Sequence, residues 1–387
     1  MKQKKKVYGL VAFLVLLAAL LLGQTLLTRA AVQTAQRTAQ APIFQVDPLW
    51  PKPLPNAWVI GSTIGVAVDA QDHIWMLHRP STLAKNEINM QPNPPLAEYC
   101  CRIAPPVLEF DQAGNLVSSW GGKGVGYDWP GGEHAIFVDH KDNVWVGSNN
   151  RTDGQILKFT RQGKFLLQIG HANIKPSSQS TVDLGAPANI EVDPTNNEVY
   201  VADGYANHRV IVFDADTGAY KRMWGAYGNK PDDADQGPYN PEVAPKQFRN
   251  PVHCSNLSKD NLVYVCDRSG DRIQVFRKDG TYIKEGFIAR KTLGSGSAWD
   301  IGFSADPQQR FIYLTDGMNG RVHILVRDSL QVVGHIGQGG RYPGQFYGAH
   351  SIAVDSKGNM YTGETYEGKR LQRFLYKGLG NATTSNN

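Results

Sequence analysis

Three of the ten histidines in this 387-residue chain, His134, His253 and His350, each stand five residues before the Asp or Ser that closes an apolar run. The same count back from the end of three similar runs gives Ile64, Ala188 and Trp299, so histidine alternates with an apolar or small residue through six copies. If the copies close into a ring, alternate units sit roughly 120° apart and the three imidazoles approach a common axis. Three neutral imidazoles with an open fourth position form the coordination set of a catalytic zinc. Zinc is the first choice, with iron, cobalt and manganese as alternatives. The competing reading has each histidine hydrogen-bonded within its own repeat.

The repeat is what must position them. Its clearest copy, residues 188–225, reads ANIEVDPTNNEVYVADGYANHRVIVFDADTGAYKRMWG. An apolar strand ends at Asp, a polar turn follows, and a second strand is rich in Val and Tyr. A third strand ends in Phe, and a glycine turn leads to a fourth. Other copies begin near Ile64, His134, His253, Trp299 and His350. Six copies of four short alternating strands predict an all-β, six-bladed β-propeller with NHL-like repeats over residues 43–376. One such sheet cannot bury both apolar faces alone, so the blades must pack around an axis. The sixth copy lacks a fourth strand after Phe374, and the segment Ile43–Val46 is expected to supply it and close the ring.

In a propeller, the entry into each innermost strand and the turn between the second and third strands share a face. On that face the turns carry Arg79, Tyr205, Arg268, Met318 and Tyr366, and the loops 80–105, 121–133, 171–187, 226–252 and 338–349 are long. The turns of the opposite face, such as HKDN and SKDN, are short. Long loops on one side of a rigid scaffold are the usual address of a binding site, so substrate is expected there. The Pro-rich insertion 80–105 reads as a lid or a passive cap. A tyrosine hydroxyl beside a cationic centre gives up its proton more readily, which suits Tyr205 to general-base work. Arg79 and Arg268 suit a substrate carboxylate, which their planar forks bind in bidentate fashion. Arg209, Arg272, Arg321 and Arg370 recur at one repeat position and read as structural, as do Asp203, Asp267 and Asp316.

Composition bounds the rest. Residues 1–41 hold six basic and no acidic residues, so the net charge of +5 leaves the remainder at −1. A near-neutral propeller offers no electrostatic case for nucleic acid. Residues 1–23, with a lysine cluster followed by an uncharged apolar run over residues 7–23, read as a cleaved signal peptide or a membrane anchor. Either places the propeller outside the cytoplasm, periplasmic, secreted or anchored. Residues 24–42 read as a linker and 377–387 as a disordered tail, and the propeller is expected to be monomeric. Four cysteines without a CxxC pair give little support to a thiolate zinc site. Cys254 and Cys266 flank a hairpin turn, either as a disulfide or as two buried thiols. Cys100 and Cys101 receive no role.

The motifs LHR (His78, Arg79), EHAIFVD (His134), VADGYANHRV (Tyr205), NPVHC with VCDRSGDRIQVF (His253, Arg268) and AHSIAVD (His350) carry a resemblance. Over residues 45–375 the chain resembles the peptidyl-α-hydroxyglycine α-amidating lyase family. The resemblance implies His134, His253 and His350 as zinc ligands, Tyr205 as catalytic base, Arg79 at the reacting substrate and Arg268 as a further active-site arginine. It implies a reaction in which a carbinolamide C–N bond breaks to an amide and glyoxylate. That family sets an Asp after its last histidine for a structural calcium. Ser351 stands there instead, which argues against calcium, although Asp300 holds the matching register of the neighbouring blade. The family's DGYC cysteine is Ala206 here and the expected partner of Cys266 is Val275, so its disulfides are not retained. No hydroxylating companion domain is present in the chain, which leaves room for another hydroxylated amide as substrate.

Two other readings compete. A lactonase-like hydrolase on related calcium propellers would need hard oxygen ligands, against which the histidine set argues. A non-enzymatic extracytoplasmic scaffold would bind protein or glycan on the loop face and hold no metal.

Overall fold

The computed structural model describes residues 17, 18, 20–24 and 40–381. The expected signal or anchor (1–23) and linker (24–42) lie almost wholly outside the described residues. Among those described, no helix is long and apolar enough to cross a membrane.

Six four-stranded antiparallel sheets stand around one axis. Their innermost strands are Ser62–Val68, Glu133–Val138, Pro187–Asp193, Val252–Leu257, Asp300–Phe303 and Ala349–Val354, for blades 1 to 6 in chain order. Each packs on the innermost strand of the next blade, and blade 6 packs on blade 1. The sixth blade takes its outer strand from the other end of the chain: Gln40–Asp47 pairs with Arg370–Asn381, setting Val46 opposite Phe374 and Phe44 opposite Tyr376. The ring is closed as the truncated sixth repeat requires, but the seam is longer than the boundary 43–376. Pairing reaches back to Gln40 and forward to Asn381, so residues 377–381 are strand where a disordered tail was expected. The reason is mutual: two terminal segments that would each be a free edge satisfy one another's amides.

The core is six layers between blades. Ile64, Trp75 and Leu77 of blade 1 meet Ile136, Val144 and Phe159 of blade 2, for example. The equivalent layers fill the other five junctions. Alternation in each strand therefore feeds two layers, one on either face, which is why the strands read as nearly continuous Val/Ile runs. In blades 1, 2 and 6 the Asp that ends the inner strand accepts a hydrogen bond from an aromatic of the second strand: Trp75 Nε1 donates to Asp69, Trp145 Nε1 to Asp139 and Tyr361 Oη to Asp355. That bond is the physical content of the repeat's most regular position.

The recurring arginines are structural in three blades. Arg209 pairs with Asp203 and Arg272 with Asp267, all four side chains fully buried, and Arg370 pairs with Glu364. Blade 5 departs from the expectation. Arg321 reaches only the Asn319 carbonyl at 3.4 Å, and Asp316 is taken instead by His323 Nε2 at 2.9 Å. With the acceptor occupied from the third strand, the arginine is left at the surface. Cys254 and Cys266 face each other across the two inner strands of blade 4 and form a disulfide.

Replacing Asp267 by Ala would leave the buried Arg272 with its Nε unpaired and only Glu285, 3.0 Å from Nη1, as counterion, and a buried pair broken on one side loses up to about 3–5 kcal/mol. Urea unfolding of the D267A variant should show that loss, whereas R321A should lie within about 0.5 kcal/mol of the parent.

Candidate metal centre

The three histidines meet. Their imidazole centroids lie 5.0, 4.7 and 4.8 Å apart, all three side chains are buried, and one ligand atom from each falls within 4.8 Å of the others.

What aims them is a bond to the next blade. His134 Nδ1 donates to the carbonyl of Ala188 at 2.7 Å, His253 Nδ1 to Trp299 at 2.5 Å, and His350 Nδ1 to Ile64 at 2.8 Å. A carbonyl can only accept, so Nδ1 carries the proton and Nε2 is left with its lone pair toward the axis. The three acceptors are the residues at the histidine position of the intervening blades. Alternation is thus a division of labour: one blade gives the imidazole, the next the carbonyl that sets its tautomer. Burial pushes all three imidazoles well below the usual histidine range, helped at His134 by the other two rings and at His253 and His350 by Arg268. They are neutral ligands before any ion arrives.

The turns above them carry the rest of the site. Tyr205 Oη lies 2.9 Å from His134 Nε2 and 3.1 Å from His253 Nε2. One hydroxyl proton cannot serve both, so at least two of the three Nε2 lone pairs find no protein donor among the described residues. Arg268 Nη1 donates to Tyr205 Oη at 3.0 Å, and its guanidinium lies on the Trp299 ring at 4.6 Å. Arg79 Nε donates to the Glu133 carbonyl at 2.6 Å, while its Nη2 is buried without a partner, as is Arg268 Nε. Buried, unpartnered nitrogens on two half-buried arginines beside imidazole lone pairs without a protein donor are what a site for a cation and an anionic ligand would leave open. The residues present fit a zinc-type ion.

The six site residues chosen from sequence are therefore gathered around one axial point. Two supports were not anticipated. Trp299, counted only as an apolar register residue, supplies both the carbonyl for His253 and the face under Arg268. His78 is buried, accepts from Gly61 N–H at Nδ1 and donates from Nε2 to the Pro105 carbonyl, clamping the two ends of the insertion 80–105. Burial takes that imidazole down to about 4. The LHR motif marked the position but not its work.

The layer below the imidazoles does not suit calcium. Asp300 accepts from its neighbour Ile301 N–H at 2.9 Å and from Ile352 N–H at 3.1 Å. Ser351 Oγ accepts from Val66 N–H at 3.0 Å and Asn189 Oδ1 from Ser255 N–H at 3.2 Å. Burial pushes the Asp300 carboxyl up to about 7. Calcium takes six to eight oxygens and favours ionised carboxylates, and of the two carboxyls lining the channel here Asp300 is already bound to two amides while burial pushes Glu191 up to about 8. These side chains instead brace blade 3 to 4, 5 to 6 and 6 to 1.

Because burial holds the folded imidazoles well below the usual histidine range, zinc affinity should fall less between about pH 7.5 and about pH 5.5 than the roughly thousandfold that three ordinary histidines would lose. Competition titration with a chelator of known pH dependence measures this. The metal-free fold itself is acid-sensitive: imidazoles that protonate only after unfolding make stability fall as pH drops below about 6.5.

No protein-family profile matches the chain. It is similar to peptidyl-glycine alpha-amidating monooxygenase B of Xenopus laevis, 30% identical over 159 residues, which cover 39% of this chain and 16% of that protein. It is also similar to a probable peptidyl-alpha-hydroxyglycine alpha-amidating lyase of Caenorhabditis elegans, 23% identical over 321 residues, 81% of this chain and 82% of that one. NHL repeat-containing protein 3 of Mus musculus matches at 24% identity over 284 residues, 71% of this chain and 65% of that protein. Against the amidating monooxygenases of Xenopus laevis and Mus musculus the match spans only 16–22% of their length. A solved streptogramin B lyase superposes with TM-score 0.50 at 10% identity, covering 87% of this chain and 98% of that one, which shows the propeller fold alone.

Proposed function

We propose that this propeller, similar at low identity to amidating lyases and to NHL-repeat proteins, is a metal-dependent carbon–nitrogen lyase acting on an α-hydroxyglycine-type amide. The observation that carries the reading is the set of three Nε2 lone pairs with the Tyr205 hydroxyl within hydrogen-bond distance of two of them. His134, His253 and His350 would hold the ion, zinc by preference. When bound, it supplies Lewis acidity and a template for the substrate's oxygens.

The chain's own residues supply the remainder. Tyr205 Oη takes the proton of the substrate hydroxyl. The O–H electron pair becomes the new C=O bond, the C–N pair returns to nitrogen, and nitrogen takes a proton from Tyr205 Oη, which restores the tyrosine and gives an amide and glyoxylate or a related carbonyl product. Arg268 Nη1–H, donating to Oη, holds the hydroxyl and its ring in place. Arg79, fixed through Nε with Nη2 free, is placed to bind the substrate carboxylate. The insertion 80–105, clamped by His78, would limit water at the site as a lid.

The proposal places substrate on the long-loop face, with no nucleic acid partner and a monomeric propeller. The basic and apolar N-terminal stretch and the Cys254–Cys266 disulfide support an extracytoplasmic location, secreted or anchored through residues 7–23. The similarity to an NHL repeat-containing protein favours a second reading, a scaffold that binds a partner on the same face. The two separate on metal: the scaffold needs none.

Tyr205→Phe should cut turnover of a benzoyl-α-hydroxyglycine by at least about a hundredfold while leaving zinc content at the parent level. Undiminished turnover would remove Tyr205 from the mechanism. His253→Ala should lower zinc stoichiometry sharply by elemental analysis, and full occupancy in that variant would overturn the ligand assignment.

A further inference from the structure

The reacting groups occupy one arc of the loop face. Around the ring, the second-to-third turns present Arg79 in blade 1, Tyr205 in blade 3 and Arg268 in blade 4. The arc that remains, blades 5 and 6, presents Met318 and Tyr366 at the same turn position. They are 49% and 50% exposed, so two large, mainly apolar side chains stand open beside a buried polar centre.

Tyr366 is joined to that centre by a buried ring, and Met318 follows Gly317, where a Cβ would come within 3.0 Å of the same ring. Trp299 is 1% exposed, and its ring centroid lies 6.4 Å from Tyr366, 5.5 Å from His350 and 6.0 Å from His253. A continuous wall thus runs from the imidazoles through Trp299 to the Tyr366 ring. The backbone holds Tyr366 in place at some cost: its φ of +53° is left-handed, a region a bulky residue rarely enters without a compensating constraint. Space for its ring is made by Gly348, where a Cβ would come within 3.0 Å of Tyr366 Cδ2 and φ is +72°. Ser62 Oγ donates to the Tyr366 carbonyl, and Lys369 in the same turn pairs with Glu87 of the insertion at 2.6 Å. On the other side Asn319, next to Met318, donates to Thr292 Oγ1 at 3.0 Å. Both turns are pinned with their apolar side chains outward.

We infer that Met318 and Tyr366, backed by the buried Trp299, form a specificity wall that receives an apolar, preferably aromatic, acyl group on the nitrogen side of the scissile bond. The inference rests on the lyase reading for which bond is scissile. With Arg79 holding the carboxylate end, the acyl group must leave the metal toward an unoccupied arc, and blades 5 and 6 provide it. An aromatic acyl group gains both burial and ring-edge contacts there, which a methyl group cannot.

Benzoylglycine and acetylglycine lack the reacting hydroxyl and so report binding alone. Calorimetric titration of the zinc-loaded full chain should show benzoylglycine bound about tenfold or more tighter than acetylglycine. Tyr366→Ala and Met318→Ala should each shrink that preference by about threefold or more, with zinc content at the parent level. Equal affinity for the two compounds, binding of neither, or a full preference in both variants would overturn the wall. An intact preference without turnover of the hydroxylated substrate would uphold the wall and remove the lyase reading.

Discussion

The arrangement depends on one hydrogen bond made three times: an imidazole Nδ1–H of one blade to a backbone carbonyl of the next. Without it a buried histidine has two tautomers and a rotatable ring, and nothing obliges its Nε2 to face the axis. With it, the tautomer is set by a rigid acceptor and the ring is held from outside the blade that carries it. Because each acceptor belongs to a neighbouring blade, the geometry of the centre is inherited from the closure of the whole ring, not from any one sheet. The seam between Gln40–Asp47 and Arg370–Asn381 therefore matters to a site far from it in sequence.

The same junctions explain why the axis tolerates so many polar groups. The innermost strands expose unpaired amides and carbonyls toward the channel. His134, His253 and His350 satisfy carbonyls at three junctions, and Asn189, Asp300 and Ser351 satisfy amides at three. Between them these six side chains bridge every junction except that of blades 1 and 2, where Arg79 donates to the Glu133 carbonyl. One set of bonds holds the ring together and leaves three lone pairs unspent at its centre. The layer below the imidazoles is filled by bonds between blades.

The repeat made much of this legible before any coordinates. Blade number, closure by the N-terminal segment and the gathering of His134, His253 and His350 all follow from counting back from one Asp-like position, because a propeller converts a linear register into an angular one. What could not be read was anything that depends on the offset between neighbouring blades. The carbonyl partners of the histidines, the Ile352 amide on Asp300 and the Val66 amide on Ser351 all lie 46–286 residues away in sequence. Arg321 shows the converse failure: the repeat position is kept, but His323, two residues on, takes its partner Asp316. Tyr366 was visible as a turn residue, but its left-handed backbone and its contact with Trp299 were not.

The account stands on three imidazole nitrogens from alternate blades sharing one ion. X-ray absorption at the zinc edge of the purified, metal-loaded chain tests that directly. It should resolve three histidine nitrogens at about 2.0–2.1 Å with a light atom completing the shell. A shell of oxygens without imidazole scattering, or one showing fewer than three histidines, would contradict it.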